Sequence, residues 1–345
     1  MDKPTVISGQ ALIGEEFELL PVDIHIEDGM IIAVEENPRA PDIWICPALF
    51  NAHTHLGDTL AMDYGADGDL TALVTPPDGL KHRLLAQASP HELAEGMRAS
   101  IEGMISRGIN GCADFREGGK SGVAGLQEAT AGLPFHPFIF GREGGESIGD
   151  GLGISSVRDV IDIDRQVHSA RMSGKKIAFH AGERDPDDVD AALAYDPDLI
   201  IHATHATKKQ LRECAERDIP IAVCPRSNWI LGVAESMCSP PIRLMQDLGC
   251  TLYLGTDNVM FVPPDLFSEM AFVSTVYRIS PETILRAAVG GSMISGRPFF
   301  IRVGARANLF TLDPARSALR FSHDPVLTIV RRACGFPIGK NVFNW

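Results

Sequence analysis

Eight short apolar segments, separated by helix-like stretches, constrain the fold of this chain more than any other feature. Strands that alternate with helices indicate a parallel sheet, and eight such units over about 250 residues match a (β/α)8 barrel. A doubly wound sheet is the alternative, although no G-x-G-x-x-G pattern follows the first segment. The third segment is the weakest, because two prolines interrupt it. The segments cover residues 47–55, 109–115, 134–140, 152–156, 176–182, 199–205, 221–226 and 251–256.

Both ends of the sequence predict a small β-sandwich domain. Residues 5–8, 22–26 and 31–34 are strand-like, and Asp28-Gly29 between the last two is a strong hairpin signal. Residues 307–312 have the same character near the other end. We therefore expect residues 1–46 and 302–345 to form this β domain, and residues 47–301 to form the barrel.

The composition of the chain limits the kinds of binding partner and the cellular compartment that we expect. A formal net charge of −14 argues against non-specific binding to nucleic acid. The seven cysteines contain no C-x-x-C pair, and the first residues lack the apolar core of a signal peptide. These features predict a cytoplasmic protein with reduced thiols. No apolar stretch is long enough to span a bilayer, so we expect no membrane partner.

Polar side chains with metal-binding or catalytic chemistry lie at the ends of several strand-like segments. In a barrel these ends converge on one mouth, so residues distant in sequence meet there. Each residue taken alone also has a structural interpretation, such as a hydrogen-bonded core histidine or a helix-capping aspartate. Together they favour a shared cation, which would offset the cost of burying them. They are His53 and His55, His180 and Glu183, His202 and His205, Asn228, and Asp257.

The combination resembles the amidohydrolase superfamily. Within it, the chain is most similar to the mononuclear deaminase branch, which includes cytosine, adenosine and guanine deaminases, triazine hydrolases and S-adenosylhomocysteine deaminases. The resemblance covers nearly the whole chain and departs from the usual pattern at Ala48, where the family commonly has glycine. It rests on the motifs His53-Thr54-His55, His180-Ala181-Gly182-Glu183, His202, Cys224-Pro225-Arg226-Ser227-Asn228 and Gly255-Thr256-Asp257.

The resemblance implies a role for each motif residue. His53, His55, His180 and Asp257 would bind one divalent metal, since residues 152–156 lack the lysine that binuclear relatives carry. Zinc is the expected ion, and Fe²⁺ suits the same ligands. Glu183 would be the proton shuttle, and His202 and Asp257 would also be catalytic. His205 is the alternative to His202 for the catalytic histidine.

The implied activity is hydrolytic deamination of a small N-heterocycle at a C(–NH₂)=N carbon, with release of ammonia. A hydrolase of a cyclic amide, an imidazolone or a chlorinated ring is the second interpretation. A non-catalytic, metal-stabilised binding protein is the third, although such a protein has no use for Glu183. The resemblance also allows a homo-oligomer built through the β domain.

Residues that bind the substrate are expected in the loops after the strands. Lys81 and Glu117 are further charged loop residues, and each charge is equally typical of a solvated surface. Residues 65–78, rich in glycine, aspartate and proline, are predicted to form a mobile lid. The candidates for substrate binding are Arg116, Arg142, His205, Arg226 and Asn228.

Overall fold

The computed structural model describes residues 5–64, 70–75 and 79–342. Part of the predicted lid, residues 65–69 and 76–78, therefore lies outside the described residues. The strands are β1 (Thr5–Ile13), β2 (Glu18–Glu27), β3 (Met30–Glu36), β4 (Trp44–Pro47), β5 (Leu49–His55), β6 (Ile109–Arg116), β7 (His136–Gly141), β8 (Gly151–Ile154), β9 (Lys176–Ala181), β10 (Leu199–His202), β11 (Ile221–Val223), β12 (Leu252–Leu254), β13 (Asp257–Asn258), β14 (Leu309–Leu312) and β15 (Asn341–Val342).

Helices separate most of the strands of the central region. Several begin at the residue types that favour helix starts: Ser89 and Thr207 each form a capping box, at α3 and α7. The helices are α1 (Leu70–Val74), α2 (Leu80–Gln87), α3 (Pro90–Ile105), α4 (Gly119–Thr130), α5 (Ile163–Met172), α6 (Asp187–Leu193), α7 (Lys208–Glu216), α8 (Pro225–Ile230), α9 (Ile242–Asp247), α10 (Leu266–Val276), α11 (Pro281–Gly290) and α12 (Pro325–Arg332).

The central sheet is a closed parallel barrel, as the sequence predicts. Its order is β12-β11-β10-β9-β8-β7-β6-β5-β13. The strands β12 and β13 are two pieces of one eighth strand, separated by Gly255 and Thr256. One piece pairs with the seventh strand through β11, and the other pairs with the first strand through β5. The doubly wound alternative is therefore excluded, because an open sheet has no such closing pair.

A six-stranded sheet joins the two ends of the chain. Its order is β15-β14-β4-β1-β2-β3, and its pairs are antiparallel except for β1 with β4. The β2–β3 hairpin turns at Asp28-Gly29, as predicted. Aliphatic side chains of this sheet, including Ile24, Ile45 and Leu309, form a hydrophobic cluster separate from that of the barrel. The strand β4 bridges the two parts of the molecule, because it leads directly into the first barrel strand.

Most of the barrel strands, including β5, β6 and β10, are buried along their whole length, as is typical of strands covered on both faces. No helix in the described ranges is long and apolar enough to cross a membrane. The barrel thus provides a rigid, solvent-excluded support for the polar residues at its strand ends.

Candidate active site

Four histidines and one aspartate meet at the carboxyl end of the barrel. Each is almost fully buried. Candidate ligand atoms of His53, His55 and His180 lie within 4.8 Å of one another, and those of His53, His202 and Asp257 do likewise. We call these five residues the histidine cluster. Five of the motif residues expected from the sequence are therefore adjacent in the folded chain.

Unusual backbone conformations place two members of the cluster. His202 has a φ of 73° and Asp257 a φ of 62°, in the left-handed region that non-glycine residues seldom adopt. Such conformations cost about 1–3 kcal/mol each and concentrate at functional sites. The surrounding barrel therefore stabilises a local geometry that these residues would not adopt on their own.

A glycine allows the eighth strand to approach the first. A Cβ atom at Gly255 would lie 2.7 Å from Cβ of His53, closer than carbon atoms can pack. The backbone N–H of the next residue, Thr256, donates to the carbonyl of His53. Gly255 in the Gly-Thr-Asp motif therefore lets Asp257 reach the histidines of the first strand.

Hydrogen bonds fix the orientation of the Asp257 carboxylate. Its Oδ2 accepts from Ser227 Oγ at 2.7 Å and from Asn258 Nδ2 at 2.9 Å. Its Oδ1 faces the histidines, 3.1 Å from Nε2 of His53 and 3.6 Å from Nε2 of His55. Burial opposes ionisation, but the hydrogen bond to His53 and the electrostatic effect of the nearby histidines together outweigh it and hold the pKa of Asp257 well below its usual range. Asp257 is thus an ionised carboxylate with one oxygen directed at the cluster.

The imidazoles of the first and fifth strands are neutral at physiological pH. Burial lowers the pKa of His53 to about 4 and that of His55 to about 3, and it lowers the pKa of His180 well below the ordinary value. The Nδ1 of His180 contacts the carbonyl of Ile154 at 2.9 Å, which as a donor leaves Nε2 for other partners. Neutral imidazole is the form that binds metals.

These lowered pKa values predict a pH-dependent stability of the metal-free protein. As pH falls below about 6.5, the unfolded chain protonates His55 but the folded chain does not, so the free energy of unfolding falls. Each such histidine contributes about 1.4 kcal/mol per pH unit. The variant His55→Gln should therefore lose less stability than the parent between about pH 6 and about pH 5, by about 1.4 kcal/mol. Urea unfolding of both proteins at both pH values measures this difference. An equal loss of unfolding free energy in the parent and the variant would contradict the prediction.

The donor set fits a divalent transition metal. Three neutral imidazoles and an ionised carboxylate are the ligands that zinc and Fe²⁺ accept, and here they lie in a solvent-excluded position. Without a cation, Asp257 would be a buried charge compensated only by hydrogen bonds. The cluster therefore has the composition, the protonation state and the burial that a metal site requires.

His202 faces the cluster through one defined nitrogen. The hydroxyl of Thr204 donates to Oδ1 of Asn228 at 3.2 Å, which directs the Asn228 amide nitrogen at Nδ1 of His202, 3.3 Å away. Nδ1 thus accepts a hydrogen bond, and Nε2 carries the proton. That Nε2 lies 3.7 Å from Oε1 of Glu183. Asn228, a candidate for substrate binding, therefore orients His202 from behind.

Glu183 lies beside the cluster without belonging to the ligand sets. Its side chain lines the same cavity as His55, His180 and Asp257. Burial raises the pKa of Glu183 above its ordinary value. A carboxyl group with a raised pKa is suited to donate a proton near neutral pH.

The cavity next to the cluster is small. Its volume is about 60 Å³, well below the roughly 300–1,000 Å³ of typical small-molecule sites. Leu70 and Val74 of α1 line it together with Arg142 and Arg184. A heterocycle needs more space, so its entry requires some of these side chains to move.

Of the arginines proposed for substrate binding, only Arg142 lines this cavity. Its Nη2 lies 3.2 Å from Nδ1 of His180. Arg116 instead pairs with Asp114 at 3.3 Å and with Glu117 at 2.7 Å, so its guanidinium is occupied within the protein.

Arg226 and His205 also lie outside this cavity. Arg226 is paired with the buried Glu269 of α10 and donates to the carbonyl of Pro263. His205 lines a neighbouring cavity instead, which it shares with Glu183. Substrate binding by Arg226 and His205 therefore stays a prediction. The histidine cluster contains His202 and not His205.

Sequence reasoning did not identify several polar partners of the cluster. Ser227 and Thr204 act through hydrogen bonds to Asp257 and Asn228, and serine and threonine are too common in loops to stand out. Lys81 and Glu117 were equally interpretable as surface charges, but both are buried against Asp58 and His55. No pattern in the sequence signals such a pairing between separate loops.

Comparison with known proteins shows which family has this arrangement of residues. The family model described as "Amidohydrolase family" matches residues 44–145, and the one described as "Adenosine deaminase" matches residues 154–298. A protein of Methanothermobacter thermautotrophicus, assigned by its name to the aminohydrolases, is 33% identical over 96% of this chain and 95% of its own length. The chain belongs to the amidohydrolase family. This confirms the resemblance inferred from the motifs.

A further relative and a solved structure are also similar to this chain over most of its length. The 5-methylthioadenosine/S-adenosylhomocysteine deaminase of Halobacterium salinarum is 25% identical over 95% of this chain and 88% of its own length. Among solved structures, the zinc complex of atrazine chlorohydrolase from Arthrobacter aurescens has a TM-score of 0.79 at 18% identity, and it covers 94% of this family member and 90% of its own chain. At that identity the likeness shows the shared barrel fold.

Proposed function

We propose that this family member is a metal-dependent aminohydrolase. It would replace the amino group at a C(–NH₂)=N carbon of a small N-heterocycle with oxygen from water and release ammonia. The observation that carries the proposal is the position of Glu183, a carboxyl group with a raised pKa that lines the cavity beside the histidine cluster but stands outside its ligand sets. The aminohydrolase and deaminase names of the relatives support it.

The residues proposed to hold one divalent ion are His53, His55, His180 and Asp257. Zinc is the proposed ion, because two structural neighbours contain it, and Fe²⁺ suits the same donors. Such an ion, when bound, lowers the pKa of a coordinated water from roughly 15.7 to about 7 and so supplies a nucleophile at neutral pH.

Asp257 is proposed as the general base. Its Oδ2 is held by Ser227 and Asn258, so Oδ1 remains directed into the cluster. Because its pKa is well below neutrality, the carboxylate is available to accept a proton from the attacking water.

His202 is proposed to stabilise the negative charge that develops during attack. Asn228 holds the Nδ1 side of the ring, so the proton on Nε2 points toward the space between Glu183 and Asp257. A positioned donor in a dry site is worth more than the same donor in water, because its orientation requires no reorganisation during the reaction.

Glu183 is proposed to donate its proton to the ring nitrogen next to the attacked carbon. Protonation turns that nitrogen into a good electron acceptor, which a neutral ring nitrogen is not. The carboxylate left behind can then take a proton from the attacking oxygen and pass it to the departing amine. A hydrolase of a plain amide has less need of this group, so Glu183 favours deamination over the other hydrolytic reactions.

The proposal is tested by measuring ammonia release from the zinc-loaded protein with a panel of aminated purines, pyrimidines, their nucleosides and pterins. We expect at least one ring to be deaminated. Opening of a cyclic amide or imidazolone, or release of chloride from a halogenated ring, without ammonia from any member would support the second hydrolase interpretation instead. Full metal occupancy with no reaction on any class would indicate a binding protein.

A further inference from the structure

A buried group of charged residues lies beside His55, and two of its members, Lys81 and Glu117, line the same cavity as the histidine cluster. Glu117, just after β6, places Oε1 2.9 Å from Nδ1 of His55 and 3.0 Å from Nζ of Lys81. The same Nζ lies 3.0 Å from Oδ2 of Asp58. We call Asp58, Lys81 and Glu117 the acid–lysine group. None of its members has a role in the chemistry proposed above.

The burial of this group sets it apart from ordinary surface ion pairs. The side chain of Lys81 is 3% exposed, that of Asp58 is fully buried, and that of Glu117 is 10% exposed. Ions removed from water cost several kcal/mol each, and pairing repays this cost only with good geometry. Apolar residues of similar size would stabilise the fold at least as well. A purely structural role therefore explains the group poorly.

The two nitrogens of His55 face different surroundings. Nε2 lies 3.6 Å from Oδ1 of Asp257, on the side of the histidine cluster. Nδ1 is buried and lies 2.9 Å from Oε1 of Glu117, but the pair does not have the alignment of a hydrogen bond. A carboxylate next to the outer nitrogen of a metal-binding histidine favours the proton on that nitrogen, orients the ring and makes the inner nitrogen more basic.

We propose that Glu117, held in place by Lys81, is a positioning residue that orients His55 for metal binding. The proposal rests on the metal site of the proposed function, and it requires nothing about the substrate. Glu117 stabilises the proton on Nδ1, so the lone pair of Nε2 points into the cluster. Lys81 keeps Glu117 in position, because its ammonium group bridges Glu117 and Asp58.

The proposal links the metal site to three separate segments of the chain. Asp58 follows the first barrel strand, Lys81 belongs to α2, and Glu117 follows the second barrel strand. Arg116 also contacts Glu117, through its other oxygen, at 2.7 Å. The orientation of one metal ligand therefore depends on the packing of α2 against the barrel.

Zinc affinity tests the role of Glu117. We expect the zinc dissociation constant, measured by competition with a chromophoric chelator, to rise about 10- to 100-fold in Glu117→Ala. Glu117→Gln keeps an acceptor oxygen but no charge, so it should show a smaller rise. Glu143→Ala is the matched control, because it removes an exposed glutamate that follows the next barrel strand, and its affinity should be unchanged.

An unchanged zinc affinity in folded Glu117→Ala would overturn the proposal. If that variant does not fold, Glu117→Gln carries the test alone, because it preserves the shape of the side chain, and an unchanged affinity there has the same consequence. The readout needs no substrate. A failure to find any deaminated ring would therefore leave this result intact, and the two proposals fail separately.

A double-mutant cycle tests whether Lys81 acts through Glu117. Lys81→Met should weaken zinc binding in the parent protein but not in the Glu117→Ala background, where no carboxylate remains for it to hold. Equal losses in both backgrounds would show that Lys81 acts independently.

In the zinc-loaded protein, the downfield proton resonance of the His55 Nδ1–H should be present in the parent and lost in Glu117→Ala. Its persistence would also contradict the proposal.

Discussion

Replacing Asp257 with asparagine is expected to lower kcat by about 10⁴-fold, at the upper end of what loss of a general base causes. The change removes the one charge that Ser227 and Asn258 hold toward the histidines. It therefore removes the proposed base and a proposed metal ligand together. The zinc dissociation constant should rise in the same variant, because the remaining ligands are neutral imidazoles.

The measurement combines steady-state kinetics, on a heterocycle that the parent protein deaminates, with metal analysis of the purified variant. Asp324→Asn is a suitable control, because Asp324 caps α12 through its side chain and asparagine caps helices equally well. That control should keep both activity and metal. Full activity in Asp257→Asn would exclude Asp257 as base, and loss of activity with unchanged zinc affinity would exclude it as a ligand.

The barrel was predictable because its strands are buried on both faces. Such strands appear in the sequence as continuous apolar runs separated by helices, and the run before His53 and the run before His180 are examples. Strand ends were less predictable. The seventh segment extends to residue 226 in the sequence pattern, but β11 ends at Val223, because Pro225 begins a helix.

The histidine cluster was predictable for a different reason. Histidine and aspartate at successive strand ends have few alternative explanations, and the barrel brings those ends together. Whether His202 or His205 faces the cluster depends on the backbone turn at His202, whose positive φ leaves no signal in the sequence.

The charged residues of the loops were the least predictable part. The sequence alone does not distinguish Arg226 from Arg142. In the structure, Arg226 pairs with Glu269, which lies 43 residues away in the chain, whereas Arg142 lines the cavity. Such pairings depend on how loops pack against helices. In the sequence, Lys81 has the context of an ordinary loop cation, but the fold places it between two acids.

Glu183→Gln is expected to lower kcat by about 10²- to 10⁴-fold while zinc affinity stays unchanged. The amide has nearly the shape of the carboxyl group, but it cannot transfer a proton to the ring nitrogen. Because Glu183 stands outside the ligand sets of the cluster, the metal site should remain intact. Glu183→Asp keeps the acid but withdraws it by one methylene, so its loss should be smaller.

The pH profile separates loss of a proton donor from general damage to the site. A general acid must be protonated to act, so activity that depends on Glu183 should fall as pH rises through its raised pKa. The residual activity of Glu183→Gln should lack this decline. If Glu183→Gln kept the parent's kcat with zinc bound, the assignment of the shuttle would be wrong. If it kept the same alkaline decline at reduced kcat, another residue would be the proton donor.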